Sequence, residues 1–147
     1  MTKRLYILLI ALAGLAFTAC STVDDDVWDN VPPKIAEFIN QYYPNSELST
    51  CEKTGSDWHV RIKDGAGLTF NAKYSWTNIA GYGEILPQVL LFDQLPPALY
   101  NYLEEVEALN GVYSLERDSR QYVVGLSNTS VTYDIESESV RSAQPPV

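Results

Sequence analysis

The sequence predicts an α+β fold: a tandem repeat in which one helix packs on a three- or four-stranded antiparallel sheet. Two features of the 147 residues lead to this prediction. The chain is similar to itself at a shift of 64 residues, which is the signature of an internal duplication. Within each copy, apolar residues first follow a helical period and then alternate with polar residues, as they do in half-buried strands.

The internal similarity has a register that defines both copies. Val27–Pro33 and Leu91–Pro97 share the order aliphatic, aromatic, Asp, amide, aliphatic, Pro, Pro. The match runs without a gap as far as Ile62 and Leu126, after which one residue is lost in a turn. We therefore predict a first repeat over residues 27–80, a connector over 81–90, a second repeat over 91–141 and a tail over 142–147.

The N-terminus predicts export. Lys3 and Arg4 precede thirteen apolar residues, Leu5–Phe17. As a helix this run is about 20 Å long, shorter than the roughly 30 Å apolar core of a bilayer, so residues 1–19 are interpreted as a signal peptide and not as a membrane span. Phe17–Cys20 resembles a bacterial lipobox, although Phe17 stands where Leu is usual. We predict a lipid on Cys20 and an acidic tether over 20–26; the alternative is an ordinary secretory signal with an incidental cysteine.

Each repeat is predicted to begin with a helix. The proline pairs Pro32–Pro33 and Pro96–Pro97 suit a first helical turn, where the missing backbone N–H is not needed. Pro44–Ser46 ends the first helix, and Asn110–Gly111 is a C-cap signal for the second. The apolar stripes are Ile35, Phe38, Ile39 and Tyr42 in the first helix, and Leu95, Leu99, Tyr102, Leu103 and Val106 in the second.

Antiparallel strands are predicted to follow each helix. In the first copy Trp58–Lys63 alternates apolar and polar residues, Asp64–Gly65 is a hairpin signal, and Leu68–Phe70 is the return strand. In the second copy Asn128–Thr129 marks the turn before Val131–Tyr133. One face of each sheet is expected to be covered by its helix and the other to face water. Further strands are expected near Leu48–Lys53, Trp76–Ile79, Val112–Arg117 and Ser137–Val140.

The composition excludes several classes of function. The chain carries 10 basic and 19 acidic side chains, and removal of Lys3 and Arg4 leaves 8 against 19, a formal charge of −11. Such a surface repels nucleic acid, and membrane contact is expected through the lipid anchor alone. Besides Cys20 the chain has one cysteine, Cys51, and it has one histidine, His59, so metal sites built from His and Cys and a disulfide framework are nearly excluded.

A family resemblance follows from the repeated motif. Each unit reads Pro-x-x-aliphatic, helix, strand, aromatic-x-Val-x-aliphatic, turn, aliphatic-Thr-aromatic-Asn/Asp. This pattern resembles the PepSY-like periplasmic proteins with a beta-lactamase-inhibitor-like fold of gut Bacteroidota, over about residues 27–140. Asp64–Gly65 and Phe70–Asn71 match the family's turn signature, whereas Asn128–Thr129 lacks its glycine. The resemblance implies a fold rather than an activity, and the acids after Cys20 resemble the signal that sends lipoproteins of these bacteria to the cell surface.

A row of basic residues is the first candidate binding site. His59, Arg61 and Lys63 share one face of a predicted strand. They could receive an acidic protein or a polyanionic glycan. The favoured alternative is a solvated face whose charges pair with Glu47 or Glu52, in exposed ion pairs worth about 0–1 kcal/mol each.

Aromatic residues between the repeats are the second candidate site. Tyr74, Trp76 and Tyr82 lie in a connecting segment with Gly81 and Gly83. Aromatic side chains in such a segment could form a lip that binds sugar or protein. Alternatively they close the core between the two halves, which is the preferred interpretation for Trp76.

Two classes of function remain. The first is a non-enzymatic outer-membrane lipoprotein, facing the periplasm or the cell surface, that binds an envelope or extracellular protein or polymer through an open sheet face, as an inhibitor-like module does. The second is a small glycan or peptide hydrolase. A glycosidase needs two positioned carboxylates, and the acids here fall in the tether, helix faces and turns. We therefore predict the binding module, with no catalytic residues, no metal and no cofactor.

Replacing the predicted lipid attachment residue tests the anchor. Cys20→Ala should release the protein from membranes, because it removes both the thioether-linked lipid and the N-terminal acyl chain. Each CH₂ group of these chains that is buried in the bilayer contributes about 0.8 kcal/mol of binding free energy. Flotation of membranes followed by immunoblotting measures the bound fraction, with Cys51→Ala as the control. A Cys20→Ala protein that still floats with the outer membrane contradicts the prediction.

Overall fold

The computed structural model describes residues 27–143, which form three helices and eight strands. The predicted signal peptide, the whole tether with Cys20, and residues 144–147 of the predicted tail lie outside the described residues. No helix within residues 27–143 is long and apolar enough to cross a bilayer. The elements are α1 (Pro33–Tyr42), β1 (Leu48–Thr54), β2 (Asp57–Ile62), β3 (Gly67–Phe70), β4 (Trp76–Ala80), α2 (Gln88–Gln94), α3 (Pro97–Glu105), β5 (Ser114–Arg117), β6 (Gln121–Gly125), β7 (Ser130–Asp134) and β8 (Ser139–Ala143).

The strands form one antiparallel sheet in the order β1 to β8, in which each strand pairs with the next along the chain. β4 and β5 join the two halves, and their central pair is Ile79 opposite Leu115. The two four-stranded sheets predicted from the repeats are therefore merged edge to edge into a single sheet. β1 and β8 are its outer edges, and in β8 every residue except the half-buried Val140 is exposed.

The duplication is confirmed by the register of the strands. Trp58 of β2 lies opposite Phe70 of β3, and Tyr122 of β6 lies opposite Tyr133 of β7. These equivalent pairs are related by the shift of 64 residues, which becomes 63 after the shorter β6–β7 turn, as the sequence predicts. The remaining pairs of the two hairpins follow the same relation.

The core lies between the helices and one face of the sheet. Phe38 of α1 meets Phe70 of β3 edge to face at 5.4 Å between ring centroids. Val60 and Val124, at the centres of β2 and β6, are buried. The alternation in these two strands also predicts that Trp58, Ile62, Tyr122 and Leu126 are buried. Ile62 is buried, whereas Trp58, Tyr122 and Leu126 are half-buried and pack against the margin of the core.

One helix was not predicted. α2 lies across the predicted connector and the start of the second repeat, and its Leu90 and Leu91 are fully buried. Of the equivalent residues 24–30 in the first repeat, the structure describes 27–30, where Trp28–Asn30 forms a 3₁₀ turn.

The end of α3 also differs from the sequence prediction. The helix ends at Glu105, before the Asn110–Gly111 signal. Glu107 adopts a left-handed conformation with φ 56°, and the backbone N–H of Ala108 donates to the carbonyl oxygen of Leu103 at 2.8 Å. This is a Schellman ending in which glutamate occupies the position usually taken by glycine. The prediction was wrong because it relied on residue preference alone.

The Asn/Asp position that ends the repeated motif has a local structural role. The side-chain oxygen of Asn71 accepts backbone N–H groups from Lys73 and Ser75, and that of Asp134 accepts the backbone N–H and the hydroxyl of Ser137. The hydrogen bonds from Ser137 lower the pKa of Asp134. Both side chains hold the turn before the last strand of their repeat, which is why β8 begins at Ser139 and not at Ser137.

Tyr43, directly after α1, makes stability depend on alkaline pH. Its hydroxyl is buried with no hydrogen-bond partner in the described part of the chain, and burial raises its pKa to about 12. An unfolded tyrosine ionises near pH 10, so between about pH 10 and 12 the unfolded state loses a proton that the native state keeps, and stability falls as pH rises.

Tyr43→Phe should flatten this alkaline loss of stability and leave stability at pH 7 unchanged or slightly higher, because the hydroxyl makes no hydrogen bond that could be lost. Urea unfolding at a series of pH values measures the slope for each protein. Tyr74→Phe, at a partly exposed ring, is the control. Equal slopes for wild type and Tyr43→Phe contradict the assignment.

Candidate functional site

The predicted basic row is divided by the structure. His59 and Arg61 lie in β2 on the face without helices, whereas Lys63 follows the strand. The Nζ atom of Lys63 is 2.9 Å from Oε2 of Glu47, and this hydrogen bond raises the pKa of Lys63. Both side chains are well exposed, so the pair adds little stability. Among the described residues, the members of the row without an acidic partner are thus His59 and Arg61.

His59 is held by a hydroxyl. Its Nδ1 lies 3.2 Å from Oγ1 of Thr69 on β3. Glu52 of β1 lies opposite His59 in the strand register, but within residues 27–143 no ion pair closer than 4.0 Å joins them. Nε2 of His59 remains available to a ligand.

Arg61 is stacked on an aromatic ring. Its Cζ lies 3.6 Å from the centroid of Tyr82, a close cation–π contact. The two side chains flank a depression of about 140 Å³ in the open sheet face, whose polar lining includes Thr50, Thr69 and Asn78. Within residues 27–143, the side chain of Arg61 makes no hydrogen bond or ion pair with an acid, so its N–H groups have no acidic acceptor in this part of the chain.

The turn after β4 fixes Tyr82. The N–H of Glu84 donates to the carbonyl oxygen of Gly81 at 3.2 Å, and the two central residues have positive φ angles, 51° at Tyr82 and 92° at Gly83. This is the signature of a type I′ turn. The left-handed conformation costs a residue other than glycine about 1–2 kcal/mol. The turn therefore places the tyrosine ring over the sheet at an energetic cost.

Gly67 makes room for that ring. A Cβ atom at Gly67 would lie 2.8 Å from Cε2 of Tyr82, closer than carbon atoms pack. Gly67 lies directly opposite Arg61 in the strand register. A side chain at this position would make the exposed ring of Tyr82 shift from its present place over the guanidinium.

The three aromatic candidates do not form one lip. Tyr74 precedes β4 and Tyr82 follows it, so the length of this five-residue strand, about 16 Å, separates them. Tyr74 is 39% exposed and lies beside Trp58, with 6.5 Å between ring centroids. Trp76 is 2% exposed and belongs to the core, the interpretation that the sequence analysis preferred for it.

Trp76 anchors a hydrogen-bond network between the halves. Its Nε1 donates to Oε1 of Gln94 at 2.9 Å, and Nε2 of Gln94 donates to the hydroxyl of Tyr42 at 2.8 Å. The hydroxyl of Tyr42 in turn donates to Asp93 at 3.0 Å. The network joins β4, α2 and α1. From β5, Arg117 donates its Nε–H to the carbonyl oxygen of Trp76 at 2.7 Å and stacks on the indole at 4.0 Å.

Two carboxylates line a second depression of about 220 Å³ on the open face, but both serve local structure. Glu116 accepts the side-chain amide N–H of Asn78 at 3.0 Å. Asp118 accepts the backbone N–H groups of Arg120 and Gln121. Both acids are exposed, so neither has the enclosed apolar surroundings of a catalytic acid.

Other reactive groups are structural. Cys51 is half-buried, its Sγ lies 3.9 Å from the carbonyl oxygen of Asn30, and burial raises the pKa of the thiol, which disfavours the nucleophilic thiolate. Within residues 27–143, no group of three or more His, Cys, Asp and Glu side chains could hold a metal ion.

Sequence reasoning found His59, Arg61 and Tyr82 and missed the other residues around the depression. Thr50, Gly67, Thr69 and Asn78 come from three strands, β1, β3 and β4, and only the pairing of these strands with β2 and with one another brings them beside Arg61. One feature of the sequence could have indicated the site: Gly67 stands at the start of a return strand, where a glycine leaves room for a neighbouring side chain.

The family is settled by a sequence comparison. The model of the family described as "Putative beta-lactamase-inhibitor-like, PepSY-like" matches residues 22–78 and again residues 57–139. The chain belongs to this family. The two matches agree with the repeat seen in the strand register. No curated protein matches this member of the PepSY-like family.

Solved structures from Bacteroides share the fold. A "putative periplasmic protein from DUF2874 family" of Bacteroides vulgatus ATCC 8482 is 21% identical, with a TM-score of 0.65 over 79% of this chain and 92% of that one. A "putative calcium-regulated periplasmic protein" of Bacteroides thetaiotaomicron gives the same values. A "putative periplasmic protein of unknown function" of Bacteroides vulgatus ATCC 8482 is 20% identical, with a TM-score of 0.65 over 79% of this chain and 94% of that one.

Gln94→Leu tests the network around Trp76. The substitution leaves the indole N–H without its acceptor and removes a donor to Tyr42, so the free energy of unfolding should fall by about 1–3 kcal/mol. Urea unfolding at pH 7 measures the change. Gln41→Leu, whose 3.4 Å hydrogen bond to Asp93 is exposed, should change stability by less than about 0.5 kcal/mol. Equal losses in the two variants contradict the role of the network.

Proposed function

We propose that this protein is a non-enzymatic cell-envelope lipoprotein that binds a protein or polymer through the open face of its sheet, as an inhibitor-like module. The observation that carries the proposal is an uncovered eight-stranded face whose side chains are mostly polar. One file of side chains crosses all eight strands in register: Glu52, His59, Thr69, Asn78, Glu116, Val123, Thr132 and Arg141.

The shape of this face favours a large ligand. Two depressions on it have volumes of about 140 and 220 Å³, smaller than the roughly 300–1,000 Å³ of typical small-molecule sites. Larger clefts of about 420 and 360 Å³ lie beside Ser119, at the ends of the strands, and are also open to solvent. A continuous hydrogen-bonded sheet is also rigid, so a partner meets a preformed surface and little ordering entropy is lost. A broad, shallow and rigid surface suits a protein or a polymer.

The two halves differ where a binding role would make them differ. Core positions keep their chemistry, as at Val60 and Val124. On the open face some positions keep their chemistry, as at Glu52 and Glu116, but Val123 and Gly125 occupy the places equivalent to His59 and Arg61. A solely structural repeat has no need of this difference.

The envelope location rests on the N-terminal sequence. The predicted signal peptide and Cys20 support export and lipidation, and the names of the three similar structures, which describe periplasmic proteins, are consistent with export. We propose an outer-membrane anchor with the domain facing the periplasm or the cell surface.

Site-specific cross-linking in the native cell tests the binding face. A photoreactive amino acid at Thr132, on the open face, should cross-link a partner, whereas the same group at Lys34, on the exposed side of α1, should not. Arg61→Glu combined with Lys63→Glu should reduce the cross-link at Thr132. Lys34→Glu combined with Lys73→Glu makes the same change in net charge away from the face and should leave it unchanged.

Either of two results would overturn the proposal. One is cross-linking that is equal from the open face and from α1. The other is reproducible hydrolysis of an envelope glycan or peptide by the purified protein, abolished by replacing one carboxylate, which would establish the hydrolase alternative.

A further inference from the structure

We propose that Arg61, held flat by Tyr82, is a receptor for a single carboxylate on a mixed-charge segment of a protein partner. This inference rests on the proposed function, because it names the chemistry that one part of the open face recognises. It follows from the contacts of Arg61, from the way Tyr82 is held, and from the size and charge of the depression.

The guanidinium is presented with its hydrogen-bonding edge unused. Its face lies against Tyr82 at 3.6 Å, and within residues 27–143 no carboxylate pairs with it. Stacking occupies the face of the planar group, while the N–H donors lie along its edge. An edge of this kind matches the two oxygens of a carboxylate in a bidentate pair.

The residues around Arg61 hold its guanidinium in this orientation. Tyr82 adopts a left-handed backbone conformation, and Gly67 lacks the side chain that would displace the tyrosine ring. Arg61 is only half exposed, so part of the hydration of its charge is already lost. A half-desolvated, immobilised cation without an anion gains more from a charged partner than a freely solvated one.

The depression selects a small acidic group. Its volume of about 140 Å³ accommodates the end of an Asp or Glu side chain but not a sugar ring together with its neighbours. Thr50, Thr69 and Asn78 line it. The Thr69 hydroxyl already contacts His59 and one amide N–H of Asn78 donates to Glu116, which leaves the Thr50 hydroxyl and the second amide N–H of Asn78 to bind the second side of a carboxylate.

Charge argues against a polyanion. The chain carries a formal net charge of −9, which repels a highly charged polymer at long range. Lys63 is paired with Glu47 and is not free to add to the site. A glycan would use the exposed face of an aromatic ring, and one face of Tyr82 is covered by Arg61. One carboxylate on a protein segment of mixed charge meets these conditions.

Capped peptides test the receptor on the full-length protein in neutral detergent micelles. The probes are acetyl-Gly-Gly-Glu-Gly-Gly-amide and its Gln counterpart, and the readout is the NMR shift of the Arg61 Nε–H in ¹⁵N-arginine-labelled protein. The Glu peptide should saturate this shift with a dissociation constant of about 1 mM, and the Gln peptide should bind at least about tenfold more weakly.

Four variants separate the receptor from general charge. Gly67→Ala and Tyr82→Leu should weaken binding of the Glu peptide several-fold, because each removes the ring from the guanidinium, while Tyr82→Phe should preserve it. Arg141→Gln, which removes a cation from the same face at β8, should also leave it unchanged. Urea midpoints equal to that of the wild type show that the weakened variants are folded.

Several outcomes overturn the proposal. Equal binding of the Glu and Gln peptides does so, as does full binding by Tyr82→Leu. Tighter binding of a phosphoserine peptide would assign the site to phosphate, and tighter binding of trigalacturonate would assign it to an acidic glycan. The titration needs no natural partner, so the receptor can fail while cross-linking from Thr132 still supports a binding face.

Discussion

The seam between β4 and β5 is the constraint on which the rest of the molecule depends. Its pairs alternate between the two faces of the sheet, with Ile79 and Leu115 toward the helices and Asn78 and Glu116 toward the open side. The pairing of β4 with β5 therefore joins the cores of the two halves on one side of the sheet and their open faces on the other. Without it, each half would expose an apolar strand edge, a known cause of aggregation.

The helical layer reinforces the seam from above. α2 leads into the second half, and its Gln94 links the indole of Trp76 to the hydroxyl of Tyr42 in the first half. Arg117 reaches Trp76 from the neighbouring strand. Buried polar groups that are mutually satisfied in this way favour one relative arrangement of the halves, because any slip would leave donors unpaired. By fixing the relative arrangement of the two halves, this network also keeps the open face rigid.

The strands could be predicted from the sequence because two independent features indicate them. Apolar and polar residues alternate along each strand, and the same pattern recurs 64 residues later. Sequence reasoning missed α2 because a seven-residue helix is too short to show two full helical periods within an apolar segment. It misplaced the end of α3 because backbone hydrogen bonds, and not glycine, hold Glu107 in a left-handed conformation. The sequence indicated Arg61 and Tyr82 as candidates in two separate sites but not the contact between them. Arg61 and Tyr82 are far apart in the chain, and their contact depends on a strained turn and on an empty position in the next strand.

The exposed and polar β8 has a consequence for the growth of the fold. β8 is the equivalent of β4, so its outer edge has the geometry that accepts β5 in the first half. A meander of this kind has no intrinsic last strand, and each further unit could be added at the same edge. Composition decides where addition stops, because Ser142 stands at the place equivalent to the buried Ile79 and offers no apolar surface to a third unit. β8 thus serves as a terminal cap, in the way that polar end repeats terminate solenoids.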